Sequence, residues 1–327
     1  MPEKCIIIIG AGLAGFSVGS YGRMNGYRTH ILEHHSEPGG VATAWKNRDY
    51  LIDGGIHYLM GHRPGQACYD IYRELGIFQN RHFPDLETFV HFNDEISGNN
   101  VSFGSDLNRL TADLKKIAPA DAKIIDGFIA GAKAMQRADL FGLMETPPEL
   151  MGVFGPLKQM WKMRRVLRYF GPEFNQPIIR YARVVKDDGL RRMLENLFLP
   201  DVPVWFVLLI LGLLANRQLG LLTESCTDFV ASLEDRYKKL GGEVTYNSTV
   251  KEIIVENDCA VGVKLADGRE LRADMVVSTG DGHSTIYNLL GGRYVDAKLT
   301  KRYQDWKLIS PIVTISYGVK QEFPNEP

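Results

Sequence analysis

Cys5-Ile-Ile-Ile-Ile-Gly10-Ala-Gly12-Leu-Ala-Gly15, read together with Glu33, decides the fold of this chain. The β-branched run Cys5–Ile9 has the pattern of a strand buried on both faces of a parallel sheet. Three glycines follow at G-x-G-x-x-G spacing, and a helix then extends to about Asn25, with Gly26 placed as its left-handed cap. Residues 29–32 form the second strand, and Glu33 ends it 23 positions after Gly10. A dinucleotide-binding βαβ unit carries an acid at about 20 residues from this point. Each residue type has a physical reason. Gly10 permits the tight turn, Gly12 lets a pyrophosphate approach the backbone, and Gly15 lets helix and strand pack closely. The helix N-terminus at Leu13 and Ala14 offers free N–H groups and a positive dipole end. Glu33 can accept both ribose hydroxyls, which favours a nucleotide with a free 2′-OH.

Working outward, 327 residues suggest about two domains at roughly 150 residues each. Hydrophobic residues are 45% and charged residues 24%, as in ordinary globular proteins. Thirty-eight basic against 39 acidic residues leave a net charge of −1, so nothing global draws the chain to nucleic acid. The four cysteines show no CxxC spacing and the histidines no metal spacing, so no metal site is expected and a reducing compartment fits. No charged n-region precedes the first strand, so a cytoplasmic location is expected, with peripheral membrane association as an extension.

Residues 36–61 read as a glycine-rich loop containing Gly39-Gly40 and Asp53-Gly54-Gly55-Ile-His57. A hairpin is expected at 88–92 and 100–103, mostly helix from 106 to 200, and a helix ending at Gly241-Gly242. Three short strands follow at 250–255, 260–265 and 270–272, with tight turns at Asn257-Asp258 and Asp267-Gly268. A strand at 275–279 runs into Gly280-Asp281. The chain stops soon after an expected strand at 312–317, and we read it as a fragment.

Taken together, Ile6 to Glu33, the Pro38-Gly39-Gly40 loop, the Ile52-to-Tyr58 segment and residues 240–290 resemble the FAD-dependent amine oxidase superfamily. The resemblance is to its phytoene desaturase, carotenoid isomerase and retinol saturase-like branch. It implies an α/β fold: a Rossmann-like FAD-binding domain of GR2 type, with a three-stranded β-meander, plus an α+β substrate domain. The FAD-binding domain would comprise 1–75 and 216–292, and the substrate domain 76–215 and 293–327. By the resemblance, Gly39, Gly40 and neighbouring Val41 would lie along the FAD pyrophosphate. His34 would lie near the adenosine or in solvent, the Asp53 to His57 loop (with Gly54 and Gly55) would approach the flavin, and the Val250 backbone would hold the adenine. Gly280 and Asp281 would return the chain to the cofactor, and the family's last FAD motif would lie beyond Pro327.

Two further segments bear on partners. Residues 157–170 carry five basic residues and no acid. Met160, Met163, Leu167 and Phe170 fall on one helical stripe, which suits either a helix on an anionic membrane surface or one packed over a core. Residues 202–215 hold no charge but are too short to span a bilayer. They suit a tunnel-lining helix, a monotopic membrane contact or plain core. His57 is the sole catalytic candidate, and a structural hydrogen bond within its loop is the competing role.

The leading expectation is an FAD enzyme moving hydride between flavin N5 and a long apolar, isoprenoid-like substrate: a desaturase, saturase or isomerase whose electron acceptor the sequence does not name. The alternatives are an amine or amino-acid oxidase on the same fold and a non-catalytic prenyl- or lipid-binding protein.

Overall fold

The computed structural model describes residues 3–79, 81–138, 140, 148–152, 154–306, 308 and 313–322. In chain order the elements are β1 (Cys5–Ile9), α1 (Leu13–Met24), β2 (Arg28–Leu32), β3 (Ala44–Asn47), β4 (Tyr50–Asp53), β5 (Tyr58–Met60), α2 (Tyr69–Glu74), β6 (Thr88–Asp94) and β7 (Asn99–Gly104). The helices α3 (Leu107–Ile117), α4 (Ala122–Ala138), α5 (Gly155–Met163), α6 (Ile178–Ala182), α7 (Asp188–Glu195) and α8 (Val204–Ala215) follow. Then come β8 (Leu219–Leu221), α9 (Cys226–Lys239), β9 (Glu243–Thr245), β10 (Val250–Glu256), β11 (Cys259–Leu265), β12 (Glu270–Arg272), β13 (Met275–Ser278) and α10 (Ala297–Asp305).

Two compact units emerge. Among the described residues, the first gathers 3–56, 71–81 and 223–322; the second gathers 57–70 and 82–222. Relative to the domain boundaries expected above, 57–70 and 216–222 group with the second unit, because β5 pairs antiparallel with β8 there. The described residues of 76–81 and 293–322 group with the first.

The first unit is a Rossmann-like α/β layer. Its parallel sheet runs β13-β1-β2-β9. Ile7, Ile8, Ile31 and Leu32 are fully buried in it, which explains the unbroken apolar run of β1. Helix α1 packs beside α9, where Phe16 meets Tyr237 edge-on at 5.9 Å. A Cβ on Gly19 would lie 2.7 Å from the Tyr237 ring, so the helices meet at that distance only because Gly19 has no side chain. The Tyr237 hydroxyl donates to the Thr29 carbonyl at 2.9 Å and to that of Glu243 at 3.1 Å, tying α9 to the sheet. Gly26 adopts φ +81°, closing α1 as expected. The meander β10-β11-β12 forms the second sheet; its first turn places Asn257 and Asp258 both at positive φ, the two-residue geometry suited to a hairpin.

In the second unit, α3, α4, α6, α7 and α8 enclose one apolar core with the inner face of the β6–β7 hairpin, giving the expected α+β arrangement. Asp106 caps α3 by accepting from the backbone of Asn108 and Arg109, and Asp187 caps α7. Asp121 is buried and accepts from the backbone of Lys186 and Asp187, fixing the start of α7 to the turn before α4.

Three expectations are corrected. Residues 44–53, read as loop, form the β3–β4 hairpin; its two-residue turn holds Arg48 at φ 56° without the glycine that would have announced it. Residues 157–170 are not one helix: α5 ends at Met163, and a short 3-10 turn covers Leu167–Phe170. Within the expected strand at 312–317, residues 313–317 form no ladder and Val313, Ile315 and Tyr317 are exposed; Ile312 lies outside the described residues.

Candidate functional site

The carboxyl ends of β13, β1 and β2 bring three loops of the first unit together. Gly10 takes φ +105° and donates its N–H to the Leu32 carbonyl at 2.9 Å, linking the phosphate loop to the end of β2. From the other side, the Thr279 N–H donates to the Ile9 carbonyl at 3.0 Å, and its hydroxyl donates to Ile9 at 2.9 Å and Gly10 at 3.2 Å. Gly280 and Asp281 therefore follow directly beside the loop. Asp281 accepts from the Ser284 backbone at 2.6 Å, so its carboxylate caps the next turn.

Helix α1 begins with Gly12 as N-cap, with no side chain capping it and no acid in its first turn. Its first N–H groups, at Leu13 and Ala14, point out of the helix end as a ready anion site. The Gly39-Gly40 loop lies across this end: Gly39 donates to the Ala11 carbonyl at 3.0 Å and bridges Gly12. A Cβ on Gly12 would lie 3.8 Å from the Gly39 oxygen and 3.9 Å from the Gly40 Cα, leaving the approach to its backbone narrow but open. Gly15 serves packing instead, since a Cβ there would lie 2.0 Å from the Gly10 oxygen.

Glu33 is buried, and both its oxygens serve the backbone. Oε2 accepts from Ala11 N at 2.6 Å and Oε1 from His35 N at 2.8 Å. Each oxygen keeps a second lone pair for a hydroxyl. The carboxylate therefore holds the loop in shape while still able to receive a ribose. Its own backbone is fixed by Thr245 and Ser248, at the turn that leads to Val250. His34 bonds the Thr249 hydroxyl at 2.6 Å and is exposed.

The loop after β4 continues the same surface. A Cβ on Gly55 would meet the Val41 carbonyl at 2.9 Å and Ala42 Cα at 3.2 Å, so these two loops lie in direct contact. Val41 is 91% exposed on this surface. Asp53 accepts from Cys226 N at 2.8 Å, capping α9 across the loop. The buried Cys226 thiol donates to the Ile56 carbonyl at 3.4 Å; burial, then the Asp53 charge, pushes its pKa up and keeps it protonated.

Gly10, Gly12, Leu13, Ala14, Gly15, Glu33, Gly39, Gly40, Val41, Gly54, Gly55, Gly280 and Asp281 thus form one continuous cluster, with Val250 one turn from Glu33. His57 is exposed and belongs to the second unit, where its carbonyl accepts from Leu222 N at 3.0 Å. Sequence reasoning missed Thr279, Ala11 and the Asp53–Cys226 cap. Only the strand–turn Ser278-Thr279-Gly280 held a signal for the first; the other contacts link residues far apart in the chain or depend on main-chain atoms.

The cluster defines a Rossmann-type dinucleotide-binding protein, and residues 8–75 match the model of the NAD(P)-binding Rossmann-like domain. The chain is similar to the phytoene desaturase (neurosporene-forming) of Rhodobacter capsulatus, 27% identical over 90% of this chain and 57% of that protein. It is similar to the chloroplastic prolycopene isomerase of Arabidopsis thaliana, 26% identical over 97% of this chain and 54% of that one. Among solved structures it resembles the PF1083 protein of Pyrococcus furiosus, with a TM-score of 0.59, 17% identity, and coverage of 93% of this chain and 66% of that one. These likenesses support the resemblance to the FAD-dependent amine oxidase superfamily, in its phytoene desaturase, carotenoid isomerase and retinol saturase-like branch. The chain spans between about half and two thirds of the length of these curated relatives. FAD is the dinucleotide this family implies, and the residues present fit it: an uncapped helix end, a glycine bed and a ribose-competent carboxylate.

Proposed function

We propose that this chain carries the FAD-binding part of an oxidoreductase that moves hydride to or from a long apolar, isoprenoid-like substrate. The observation that carries the cofactor part is the joint geometry of the uncapped α1 terminus, the Gly39-Gly40 bed and Glu33. When bound, FAD supplies the hydride acceptor or donor at N5. The chain's own residues bind and orient. Leu13 and Ala14 N–H groups receive the pyrophosphate, Glu33 takes the ribose, and the Val250 backbone faces the adenine. The Val41–Ala42 and Gly54–Gly55 loops hold the path toward the ring. The substrate class rests on the names of the relatives, which are carotenoid desaturases and isomerases. The expected division into an FAD-binding and a substrate domain remains part of this proposal, as does a contact of His57 with either ligand.

The test is direct. The purified chain, reconstituted with FAD, should retain a yellow, heat-releasable flavin, and Glu33→Ala should retain much less. A chain that stays colourless and ignores added FAD would refute the cofactor assignment and favour the prenyl- or lipid-binding alternative. Turnover of an acyclic carotenoid precursor by the flavin-loaded chain tests the substrate class; oxidation of a primary amine instead would favour the amine oxidase reading.

A further inference from the structure

The second unit holds an open cleft of about 480 Å³, lined entirely by its own residues. That volume suits a small-molecule ligand. Lys133, Gln136 and Arg137 line it from α4, where their i, i+3, i+4 spacing puts them on one face. Arg217 lines it from the turn between α8 and β8, and Asp106 from the start of α3. Leu107 and Ala215 are the only apolar residues of the lining, so an apolar ligand has little to bury against.

The walls are fixed by contacts behind the cleft. Gln136 Nε2 donates to the Ala215 carbonyl at 3.4 Å, and Asn216 Nδ2 donates to the Gln136 carbonyl at 2.5 Å, tying the end of α4 to the end of α8. Helix α8 is itself anchored, because Val204, Val207, Leu208, Leu211 and Leu214 are fully buried in the unit's own core. The membrane contact expected through 202–215 is thus replaced by core packing. Arg217 takes φ 52°, a left-handed backbone that glycine would adopt at less cost. Its N–H donates to the Leu214 carbonyl at 3.0 Å and its carbonyl accepts from Gln66 Nε2 at 3.1 Å, so the strained turn is held from both sides.

The cations of the cleft are in surplus. Arg217 lies 3.8 Å from Asp85, but that carboxylate already accepts from the Arg63 guanidinium through both oxygens and bonds His62 at 3.1 Å. One negative charge therefore faces two guanidiniums. Lys133 reaches across to α3 and donates to a neutral acceptor, Asn108 Oδ1, at 2.7 Å. No acid pairs with Lys133 or Arg137 among the described residues. Asp106 is the one acid of the lining, and its Oδ1 accepts from the Asn108 and Arg109 backbone at 2.9 and 3.1 Å, so its charge serves the α3 terminus. With that terminus capped, the cleft's attraction for anions comes from its side chains.

We propose that this cleft binds the diphosphate group of a small molecule, with Arg137 and Arg217 gripping its oxygens and Lys133 supplying a third charge. Guanidinium forks match phosphate oxygens in pairs. A lone carboxylate would leave two of the three cations unbalanced. No lining residue is aromatic, so a base finds no stacking platform and the anion itself is what is recognised. The site stands independently of the redox reading, since none of its residues belongs to the dinucleotide cluster.

The full chain, loaded with FAD and dialysed free of unbound flavin, is titrated calorimetrically with pyrophosphate, orthophosphate and ADP. Pyrophosphate should bind saturably, more tightly than orthophosphate, and more weakly as salt is added. Arg137→Gln should weaken it by about tenfold or more, because a hydrogen bond to a charged group is lost, and Arg137→Lys should recover part of that loss. Lys133→Gln with Arg137→Gln should weaken it further. Lys123→Gln removes an exposed charge from the other end of α4, about 20 Å away along the helix axis, and should change nothing. Arg137 is exposed, so its variants should melt at the parent's temperature without ligand. Pyrophosphate held at the α1 terminus, in a chain that takes up no flavin, would persist unchanged in all of these variants. ADP binding as tightly as pyrophosphate would extend the site to organic diphosphates, and ADP failing to bind would assign it to the free anion. No saturable binding, equal affinity for orthophosphate, full affinity in the Lys133→Gln, Arg137→Gln double variant, or an equal loss in Lys123→Gln would each overturn the proposal.

Discussion

Replacing Gly15 with alanine separates the packing of the phosphate loop from helix propensity. In an ordinary helix interior the change would stabilise by about 1 kcal/mol. Here the new Cβ would lie 2.0 Å from the Gly10 oxygen, 3.1 Å from the Gly10 carbonyl carbon and 3.3 Å from the Thr279 hydroxyl. Restoring ordinary contact with the oxygen requires a displacement of about 1.4 Å, well beyond a rotamer adjustment because the opposing atom is backbone. Gly10 is held at both ends, by the Leu32 carbonyl and by the Thr279 hydroxyl. Overpacking typically costs about 1–3 kcal/mol, and losing the Thr279 bond adds about 1 kcal/mol, so the net should be about 1–3 kcal/mol of destabilisation. The shifted N–H groups should also weaken FAD binding by about tenfold or more, since one hydrogen bond to a charged group is worth about 1.5–3 kcal/mol. Urea unfolding and equilibrium dialysis with FAD measure the two effects. Gly127→Ala on α4, where an added Cβ meets nothing within 4 Å, is the control and should stabilise by about 0.5–1 kcal/mol. If Gly15→Ala behaved like Gly127→Ala, or left FAD affinity unchanged, the close approach of α1 to the loop would be refuted.

Glu33→Ala should leave the Ala11 N–H without its acceptor and cost about 1–3 kcal/mol, read as lost hydrogen-exchange protection at Ala11 even without nucleotide. Tyr237→Phe removes a fully buried hydroxyl that serves Thr29 and Glu243, and should destabilise by about 1–2 kcal/mol in urea unfolding while leaving the apolar packing on Gly19 intact. His62 is buried against Gly220 and bonded to Asp85 at 3.1 Å, and burial holds its pKa below the ordinary histidine value. The unfolded chain therefore binds the proton more readily, and this residue's contribution to stability is present above the unfolded pKa and lost as pH falls through about 6.5. His62→Gln should flatten the fall in unfolding free energy between about pH 7 and pH 5 relative to the parent; an identical slope would refute the assignment.

Much of the first unit was readable because its signals are local. The run from Cys5 to Gly15 encodes strand, turn and helix start in adjacent residues, and Gly26, Asn257-Asp258 and Gly268 mark turns by their own backbone tolerance. The β3–β4 hairpin escaped because Arg48 takes a left-handed conformation that its residue type does not advertise. The second unit was readable as helical, but the direction in which each helix faces depends on partners far away in the chain. An uncharged run such as residues 204–215 looks the same whether it meets lipid, substrate or core, since periodicity disappears when every side is apolar.

The sequence by itself determined the strand, the glycine turn, the helix start and the acid closing the second strand, because glycine spacing and a following acid are properties of neighbouring residues along the chain. Only the tertiary structure decided that Glu33 braces the loop through Ala11 and His35, that Thr279 and the Gly39-Gly40 bed close around it, and that Lys133, Arg137 and Arg217 line one cleft. Those outcomes depend on which surfaces are left after the long-range contacts of the core are satisfied, and no local pattern of residues records that choice.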